Sequence, residues 1–208
     1  MFYTERLMLR AFEPEADTNL FTQWLNDVEI LSAISLHPPV PSSKASVKKF
    51  IEQVSQKESA SGLPFFVVCE KPPPENGPVS LAKHDDYFSK DGTARYPTIG
   101  VFVLSSQDNM HFATRTARFG IALDKEHHDR GYGTELLQWA QAYCFKTLGC
   151  HRLELNVAAF NKRAFHVYEK VGFVKEGVRR KRWWIDGQWV DDIEMAMLEE
   201  EWFAKHQE

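Results

Sequence analysis

HHDRGYGTELL, residues 127–137, places Gly131 and Gly133 at the point where an apolar helical pattern begins. A glycine at a helix start costs stability compared with alanine, so a separate requirement should explain the pair. The N–H groups at a helix start have no partner within the helix and carry partial positive charge. Two glycines would let this backbone curl around an anion such as a pyrophosphate, and Thr134 could add its hydroxyl. A tight turn that needs glycine only for its own dihedral angles explains this stretch equally well.

Two better-known phosphate-binding patterns are excluded by the residues around the loop. No Gly-Lys-Ser/Thr follows the glycines, so the stretch is not a Walker loop. The preceding strand falls in an antiparallel run, and no acidic residue ends a following parallel strand, so it is not a dinucleotide-binding fingerprint. A metal site around His127 and His128 is also disfavoured, because adjacent side chains diverge and no further ligands recur at metal spacing. We therefore expect no metal.

The composition is typical of a globular protein, with 208 residues of which 43% are hydrophobic. This length fits a single domain, 1–208. The formal net charge of -4 argues against general nucleic-acid binding, which depends on neutralising phosphates. No apolar run is long enough to cross a bilayer, and MFYTERLMLR lacks the layout of a secretory signal. The three cysteines follow no CxxC spacing, so we expect reduced thiols in a cytoplasmic protein.

Hydrophobic periodicity predicts a mixed α/β domain around one sheet, in the order β-α-α-β-β-β-α-β-α-β-β. The first strand, within 5–12, alternates apolar and charged residues as a half-buried strand does. Residues 72–96 contain PPP, NG and DG turn signals and predict an exposed insertion. Asp17 or Thr18 is the candidate cap of the first helix, and Ser42 or Ser43 that of the second. Residues 98–104 and 113–123 predict an antiparallel strand pair, and 134–148 a long helix. Asp186–Gly187 predicts a hairpin turn.

A second stretch, NKRAFHVYEKVGF at 161–173, follows the predicted strand HRLELNV. Together the two stretches resemble the GNAT superfamily, the Gcn5-related N-acetyltransferases that use acetyl-CoA. The family's loop pattern, Gln/Arg-x-x-Gly-x-Gly/Ala, reads HDRGYG at 128–133 here. TERLMLRAF near the start and the closing hairpin resemble the branch of ribosomal-protein alanine and spermidine acetyltransferases, so the resemblance covers nearly the whole chain outside 72–96. The family's later pattern matches at five positions: Asn161, Ala164, Tyr168, Gly172 and Phe173.

The resemblance implies an α/β (α+β) GNAT fold, with a mixed, mostly antiparallel twisted sheet, a central parallel pair of strands that splay apart, and about four flanking helices. The splayed strands should be Phe119–Leu123 and Leu153–Val157. The pantetheine arm of acetyl-CoA would bond like an added strand near Ile121–Leu123, and the pyrophosphate would lie on the N–H groups of Arg130–Thr134. The implied cofactor-binding residues are Ile121, Ala122, Leu123, His128, Asp129, Arg130, Gly131, Tyr132, Gly133, Thr134, Asn156, Asn161, Ala164, Phe165 and Tyr168.

Two of these residues have an implied chemical role and also a structural alternative. By the resemblance, Tyr168 directs its hydroxyl at the CoA sulfur and protonates the leaving thiolate. Its place in an apolar stripe with Val167 and Val171 would also suit packing alone. Asn161 would bond the pantetheine arm, and it would equally suit a helix cap. The two roles of Asn161 are compatible with each other.

The sequence departs from the family pattern at two positions. His128 replaces Gln or Arg in the loop, and a neutral imidazole supplies less charge than arginine, so we expect acetyl-CoA binding to weaken as the pH rises. Arg118 stands where many members of the branch place a Glu that draws the proton from the amine. A base therefore does not carry over from the family, and Glu154 is our first candidate. The other candidates are Asp124, Asp85, Asp86, a relay through water, or no base at all because the amine arrives neutral.

Taken with the resemblance, these residues predict an acetyl-CoA-dependent N-acetyltransferase that acetylates a primary amine by direct attack, as a monomer or homodimer. A backbone N–H near Ile121–Leu123 would bind the thioester oxygen. A protein N-terminus, a polyamine and a small amine all remain possible acceptors. Trp183, Trp184 and Trp189 would wall the acceptor side or form a hairpin core. The alternative function is a non-catalytic acyl-CoA-binding module, which the absent Glu supports and Tyr168 opposes.

Overall fold

The computed structural model describes residues 2–27, 40–61, 65–71, 96–105 and 114–206. These residues form seven strands and five α-helices. The strands are β1 Leu7–Arg10, β2 Phe65–Glu70, β3 Thr98–Ser105, β4 Thr116–Leu123, β5 Arg152–Ala158, β6 Val174–Ile185 and β7 Gln188–Leu198. The helices are α1 Pro14–Trp24, α2 Lys44–Ser61, α3 Tyr132–Ala142, α4 Lys162–Lys170 and α5 Glu199–Lys205. A 3₁₀ turn, Lys125–His127, precedes α3, and a π turn, Tyr143–Thr147, continues it.

All the strands lie in one sheet, in the order β1-β2-β3-β4-β5-β7-β6. Every neighbouring pair is antiparallel except β4 and β5. That parallel pair is joined only where Thr116–Arg118 faces Arg152–Glu154. Beyond these residues β4 stays paired with β3, and β5 stays paired with β7. The two central strands therefore part in mid-sheet, which confirms the predicted splay, although Leu153 and Glu154 still lie in its closed part.

The two faces of the sheet carry separate hydrophobic cores. The larger core lies under α3, α4 and α5, and it takes side chains from β1, β2, β3, β4, β5 and β7. The smaller core packs α1 and α2 against β1, β2 and β3. Alternate residues of a strand point to opposite faces. On the face of the smaller core, β4, β5 and β7 therefore carry mainly polar side chains, and the residues that later matter are Arg118, Glu154, Asn156 and Asp192.

Strand β1 is buried on both faces, which corrects the expectation of a half-buried strand. Its burial follows from the second core, which covers Met8, and from an ion pair that buries Arg10. The Arg10 guanidinium donates to both carboxylate oxygens of Asp17, at 2.7 and 2.6 Å. Asp17 is thereby used in the first turn of α1, which begins at Pro14 instead of at a cap formed by Asp17 or Thr18. The predicted helix start was wrong because the Asp17 carboxylate is held in a buried bidentate pair with Arg10 and does not cap the helix.

The other turn and cap predictions are confirmed. Ser43 Oγ accepts from Ser46 N at 3.1 Å and caps α2. Asp186 and Gly187 have positive φ angles of 47° and 75°, as a tight two-residue hairpin turn requires. The last helix of the described chain is α5. The Trp202 indole of α5 packs into the larger core.

Two predictions concern parts of the chain that the structure describes only incompletely. The insertion expected at 72–96 lies outside the described residues except for Tyr96, which packs against the smaller core. Among the helices that are described, none is long and apolar enough to cross a membrane.

Gly100 of β3 faces Leu123, at the end of β4, in the same sheet. It offers a test of how closely β3 and β4 pack. A Cβ at this position would lie 2.3 Å from Ala122 O and 2.5 Å from Leu123 Cδ2. Because overpacking a tight core costs about 1–3 kcal/mol, we expect Gly100→Ala to lower the free energy of unfolding by about that amount in urea titrations. Gly120→Ala is the matched control, since its Cβ would meet no heavy atom within 4 Å. Equal stability of the two variants would contradict the close approach of β3 and β4.

Candidate active site

One edge of β4 turns backbone groups toward the opening between the splayed strands. Asp124 N donates to Ile99 O at 2.8 Å, which marks this pair as hydrogen-bonded in the β3–β4 ladder. Hydrogen-bonded pairs alternate along an antiparallel ladder, so Ala122 also bonds to β3. The N–H and C=O groups of Ile121 and Leu123 then face the opening, where β5 is no longer paired with β4. Of the three residues predicted here, Ile121 offers both backbone groups and Leu123 offers its N–H, because the Leu123 C=O lies 2.8 Å from His128 Nε2; Ala122 offers neither.

The loop between β4 and α3 keeps a run of backbone N–H groups unused. Asp129 and Gly131 have positive φ angles of 58° and 83°, and such turns form concave nests of N–H groups. None of the N–H groups of Arg130–Thr134 donates to another residue in the described part of the chain. These N–H groups lie at the start of α3, where the helix dipole is positive. The loop therefore has the geometry of an anion-binding site.

The two loop glycines meet different requirements. Gly131 has the positive φ that favours glycine, so the turn itself explains this residue. Gly133 has no positive φ, and a Cβ there would meet only Leu123 Cδ1, at an ordinary contact distance of 3.7 Å. Neither the backbone nor the described neighbours require a glycine at 133. We infer that Gly133 leaves room for a ligand.

His128 fixes the start of the loop through its side chain. Its Nε2 lies 2.8 Å from Leu123 O, which only accepts, and 3.3 Å from Arg163 Nη2, which only donates; the shorter contact favours a hydrogen on this ring nitrogen. His127 Nε2 instead lies 3.8 Å from Glu70 Oε2, so the two neighbouring rings diverge. His128 therefore shapes the loop by bonding to backbone. Its bond to Leu123 also joins the loop to the open edge of β4.

The opposite side of the loop is held by Arg6, which directly precedes β1, and by Glu70 of β2. Arg6 Nη1 donates to Arg130 O at 2.9 Å, and the Arg6 guanidinium pairs with Glu135 of α3 at 2.7 Å. Arg130 pairs with Glu70 at 3.1 Å, and the buried Tyr132 hydroxyl bonds to the same carboxylate. The sequence left open whether Arg130 supplies charge to the loop or is simply solvated. It is ion-paired, so its charge is partly neutralised by Glu70.

Tyr168 of α4 lies beside the opening, on the side of the larger core. The residue is 8% exposed. Its ring contacts the ring of Phe119, in the splayed half of β4, edge-on with centroids 5.8 Å apart. Burial alone raises the pKa of Tyr168 to about 12. The hydroxyl therefore stays protonated at neutral pH, and the residue combines core packing with a buried proton donor at the opening.

The residues at the start of α4 are positioned by a cap. Asn161 Oδ1 accepts from Ala164 N at 3.1 Å, so the predicted cap is confirmed. This bond uses the amide oxygen and leaves the Asn161 amide nitrogen as a donor. Ala164 and Phe165 pack at the margin of the larger core. The first turn of α4 thus contributes one polar group and two apolar ones near the opening.

Glu154, the first candidate base, lies between two arginines in the closed part of the β4–β5 pair. Arg118 Nη2 is 2.7 Å from Oε1, and Arg152 Nε is 3.1 Å from Oε2. Arg152 also pairs with Glu176 of β6. Both oxygens of Glu154 accept from charged donors, so the carboxylate is held in ion pairs on two sides. Glu154 as the base stays a prediction, and Arg118 serves here as its ion-pair partner.

Of the remaining candidate bases, Asp124 lies among the described residues. Asp124 Oδ1 accepts from Glu126 N at 3.1 Å, and its Oδ2 accepts from Trp24 Nε1 at 3.3 Å. Asp124 therefore caps the 3₁₀ turn after β4. Asp85 and Asp86 lie outside the described residues.

Asp192 of β7 is a carboxylate that the sequence patterns did not single out. The residue is only 1% exposed. Its Oδ2 accepts from Asn156 Nδ2 at 2.9 Å, whereas its Oδ1 bonds to none of the described residues. Burial raises the pKa of Asp192, against smaller lowering effects of the nearby Trp183 indole and of Arg179. Asn156, predicted as a cofactor-binding residue, is thus bound to this carboxylate.

The tryptophans of the closing hairpin separate into two environments. Trp184 and Trp189 are 60% and 58% exposed, and their ring centroids lie 5.3 Å apart across the strands. They do not form a hairpin core. Trp183, by contrast, is half-buried and places its indole near Asp192. Trp183 therefore walls the polar face of the sheet.

A sheet that splays at one parallel pair, beside a helix start with unused N–H groups, defines the GNAT class of acetyltransferases. Residues 6–174 match the family described as "Acetyltransferase (GNAT) domain". The chain belongs to this family, and it is an acetyltransferase.

Individual relatives agree with this assignment. The probable N-acetyltransferase YjcK of Bacillus subtilis is 31% identical over 141 residues, which are 57% of this chain and 78% of that protein. The spermidine N(1)-acetyltransferase of Vibrio cholerae is 32% identical over 96 residues, 46% of this chain and 56% of that enzyme. The crystal structure of spermidine N-acetyltransferase from Vibrio cholerae in complex with CoA and spermine superposes with a TM-score of 0.72 and 26% identity, covering 95% of this chain and 98% of that chain. In sequence, then, the match spans only about half of the spermidine enzyme.

Proposed function

We propose that this chain transfers the acetyl group of acetyl-CoA to the nitrogen of a primary amine, by direct attack and without a covalent enzyme intermediate. The observation that carries the proposal is the run of unused N–H groups at Arg130–Thr134 beside the open edge of β4. A pyrophosphate is well matched by such donors at a helix start. The amides of a pantetheine arm are matched by an extended backbone edge. The relative of known structure that contains CoA supports the same ligand.

Acetyl-CoA would bind along the opening through backbone more than through side chains. Its pyrophosphate would accept from the Arg130–Thr134 N–H groups, and Gly133 would allow close approach. The pantetheine arm would bond to Ile121 and Leu123. The amide nitrogen of Asn161, whose oxygen is used by the helix cap, would donate to the same arm.

The reaction forms one bond and breaks one bond at the thioester carbonyl. The neutral amine nitrogen attacks the carbonyl carbon, and a backbone N–H of the β4 edge stabilises the oxygen that gains charge. The C–S bond then breaks, the sulfur takes a proton, and the nitrogen loses one. Tyr168 would donate to the leaving sulfur. One acetyl-CoA and one amine give one amide and one free CoA thiol.

The acceptor would approach from the opposite face of the sheet, where β4, β5 and β7 carry polar side chains. Trp183 and the first helices border this face. The Vibrio cholerae relative is named for spermidine, and its crystal structure contains CoA and spermine. We therefore propose a polyamine or another alkyl amine as the acceptor.

A screen of acceptors tests the function. Purified protein should release CoA thiol from acetyl-CoA when supplied with spermidine, spermine, butylamine or a peptide with a free N-terminus, and mass spectrometry should detect the acetylated amine. Thiol release without any amine measures the background hydrolysis. If acetyl-CoA binds but no amine in the panel is acetylated, the chain is a binding module instead of an enzyme acting on these amines.

A further inference from the structure

Asp192 differs from the other carboxylates that line the polar face of the sheet. Glu154 pairs with Arg118, Glu176 pairs with Arg152, and Glu194 pairs with Arg179 at 2.5 Å. Asp192 is more deeply buried than these three, yet it forms no ion pair with a described residue. Its Oδ1 has no described partner within hydrogen-bond distance, and the Trp183 indole N–H that lies near Asp192 is likewise unpartnered among the described residues. Arg179 faces Asp192 across the β6–β7 ladder, but its guanidinium pairs with Glu194. A buried carboxylate without an ion pair of its own is costly, so the arrangement suits a charge that arrives with a ligand.

The position of Asp192 matches the acceptor side of the opening. It faces Ala158 across the β5–β7 ladder, and its partner Asn156 lies on the same face. Both β5 residues belong to the half of β5 that has left β4. Tyr168 approaches the opening from the other face, with the larger core. A proton donor and a proton acceptor thus stand on opposite sides of the sheet at its one break.

We propose that Asp192, oriented by Asn156, binds the ammonium group of the acceptor and takes its proton, so that the acceptors are alkyl amines that arrive charged. This inference rests on the proposed acetyl transfer. The ammonium gives one proton to Asp192, directly or through one water, and the neutral nitrogen attacks the thioester. The nitrogen loses a second proton as the amide forms, and the sulfur gains one. Each turnover therefore releases one proton to the solvent.

Asp192→Asn tests this role because it removes the charge and keeps the shape and the acceptor for Asn156. We expect kcat/KM at neutral pH to fall by roughly 10²–10⁴-fold, the scale of a lost general base, with unchanged affinity for acetyl-CoA. In the wild type, kcat/KM should rise with pH through one inflection that is shared by butylamine and by a peptide N-terminus, whose pKa values differ by about 2 units. In the variant this shared inflection should disappear.

The stability of the variant gives a second readout, because removing a carboxylate that stabilises the fold would lower Tm. Burial raises the pKa of Asp192 in the folded protein. Such a group stabilises the fold at low pH and loses that contribution as the pH rises through its folded-state pKa. Asp192→Asn should therefore raise Tm at neutral pH, and its advantage over the wild type should grow as the pH rises above about 4. The charged groups packed nearest are Arg179 of β6 and Glu194 of β7, and β5 contributes the neutral Asn156.

Glu176→Gln is the matched control, since it also removes a carboxylate from this face. The Arg152 pair lowers the pKa of Glu176, so its loss should leave Tm equal or lower and leave the pH profile unchanged. An Asp192→Asn enzyme with the wild-type rate and profile would overturn the inference while leaving acetyl transfer intact. Wild-type profiles that follow the pKa of each acceptor would also overturn it, and they need no variant. If the wild type acetylates no amine at all, the proposed function fails first.

Discussion

Gly133→Asp should abolish acetyl-CoA binding while the protein remains folded. The substitution places a carboxylate against the unused N–H groups that we assign to the pyrophosphate. Like charges in contact cost several kcal/mol, and each 1.4 kcal/mol is tenfold in affinity, so we expect a loss of about 10³-fold or more in titration calorimetry. The fold should tolerate the change, because the new Cβ has room and an acidic residue in the first turn of a helix is favourable.

Two variants of α3 separate the causes of that loss. Gly133→Ala adds only the Cβ, so it should weaken binding less than Gly133→Asp does. Gln138→Asp adds the same charge on the exposed side of the helix, and it should leave the affinity unchanged. Normal acetyl-CoA affinity in a folded Gly133→Asp protein would show that the ligand does not lie on this loop.

Tyr168→Phe should lower kcat by on the order of 10²-fold or more, with little change in acetyl-CoA affinity. The ring stays in its contacts with Phe119 and Phe173, and only the hydroxyl is lost. The same burial that raises the pKa of Tyr168 also disfavours a thiolate, so the leaving sulfur depends on a nearby donor. Pre-steady-state release of CoA thiol measures the chemical step directly.

Tyr143→Phe provides the comparison for the loss of a hydroxyl from a partly buried tyrosine. Tyr143 lies in the π turn after α3, where its ring stacks on Trp139. Burial raises its pKa as well, but it contacts none of the residues assigned to the opening. Its replacement should leave kcat unchanged. If Tyr168→Phe also left kcat unchanged under conditions where chemistry limits the rate, Tyr168 would be a packing residue only.

Local patterns predicted most of the fold because each depends on neighbours in the sequence. Strand alternation, the Asp186–Gly187 turn and the Asn161 cap all follow from residues within a few positions of one another. The start of α1 was wrong because Asp17 pairs with Arg10 on another element. No local pattern distinguishes an acid that caps a helix from one that fills a buried ion pair.

The ion pair of Glu154 could not be predicted for a related reason. Arg118 and Glu154 meet through the register of two parallel strands that are 36 positions apart in the chain. That register is a tertiary property, so Glu154 looked available in the sequence. Asp192 carried a usable signal, because the apolar alternation of Ile193, Met195 and Met197 places it on the opposite face. Its burial, however, depends on the packing of the closing hairpin and could not be read from that alternation.

The break between β4 and β5 exposes two strand edges inside the sheet, each with a neighbour on its other side. Open edges normally invite another chain to add a strand, and proteins protect their outer edges against it. Here the edges face each other across a gap that remains closed at Thr116–Arg118, so a foreign strand cannot run the length of either one. A short chain that bears amides, such as the pantetheine arm of the proposed acetyl-CoA, would pair with these edges only in the open part of the gap.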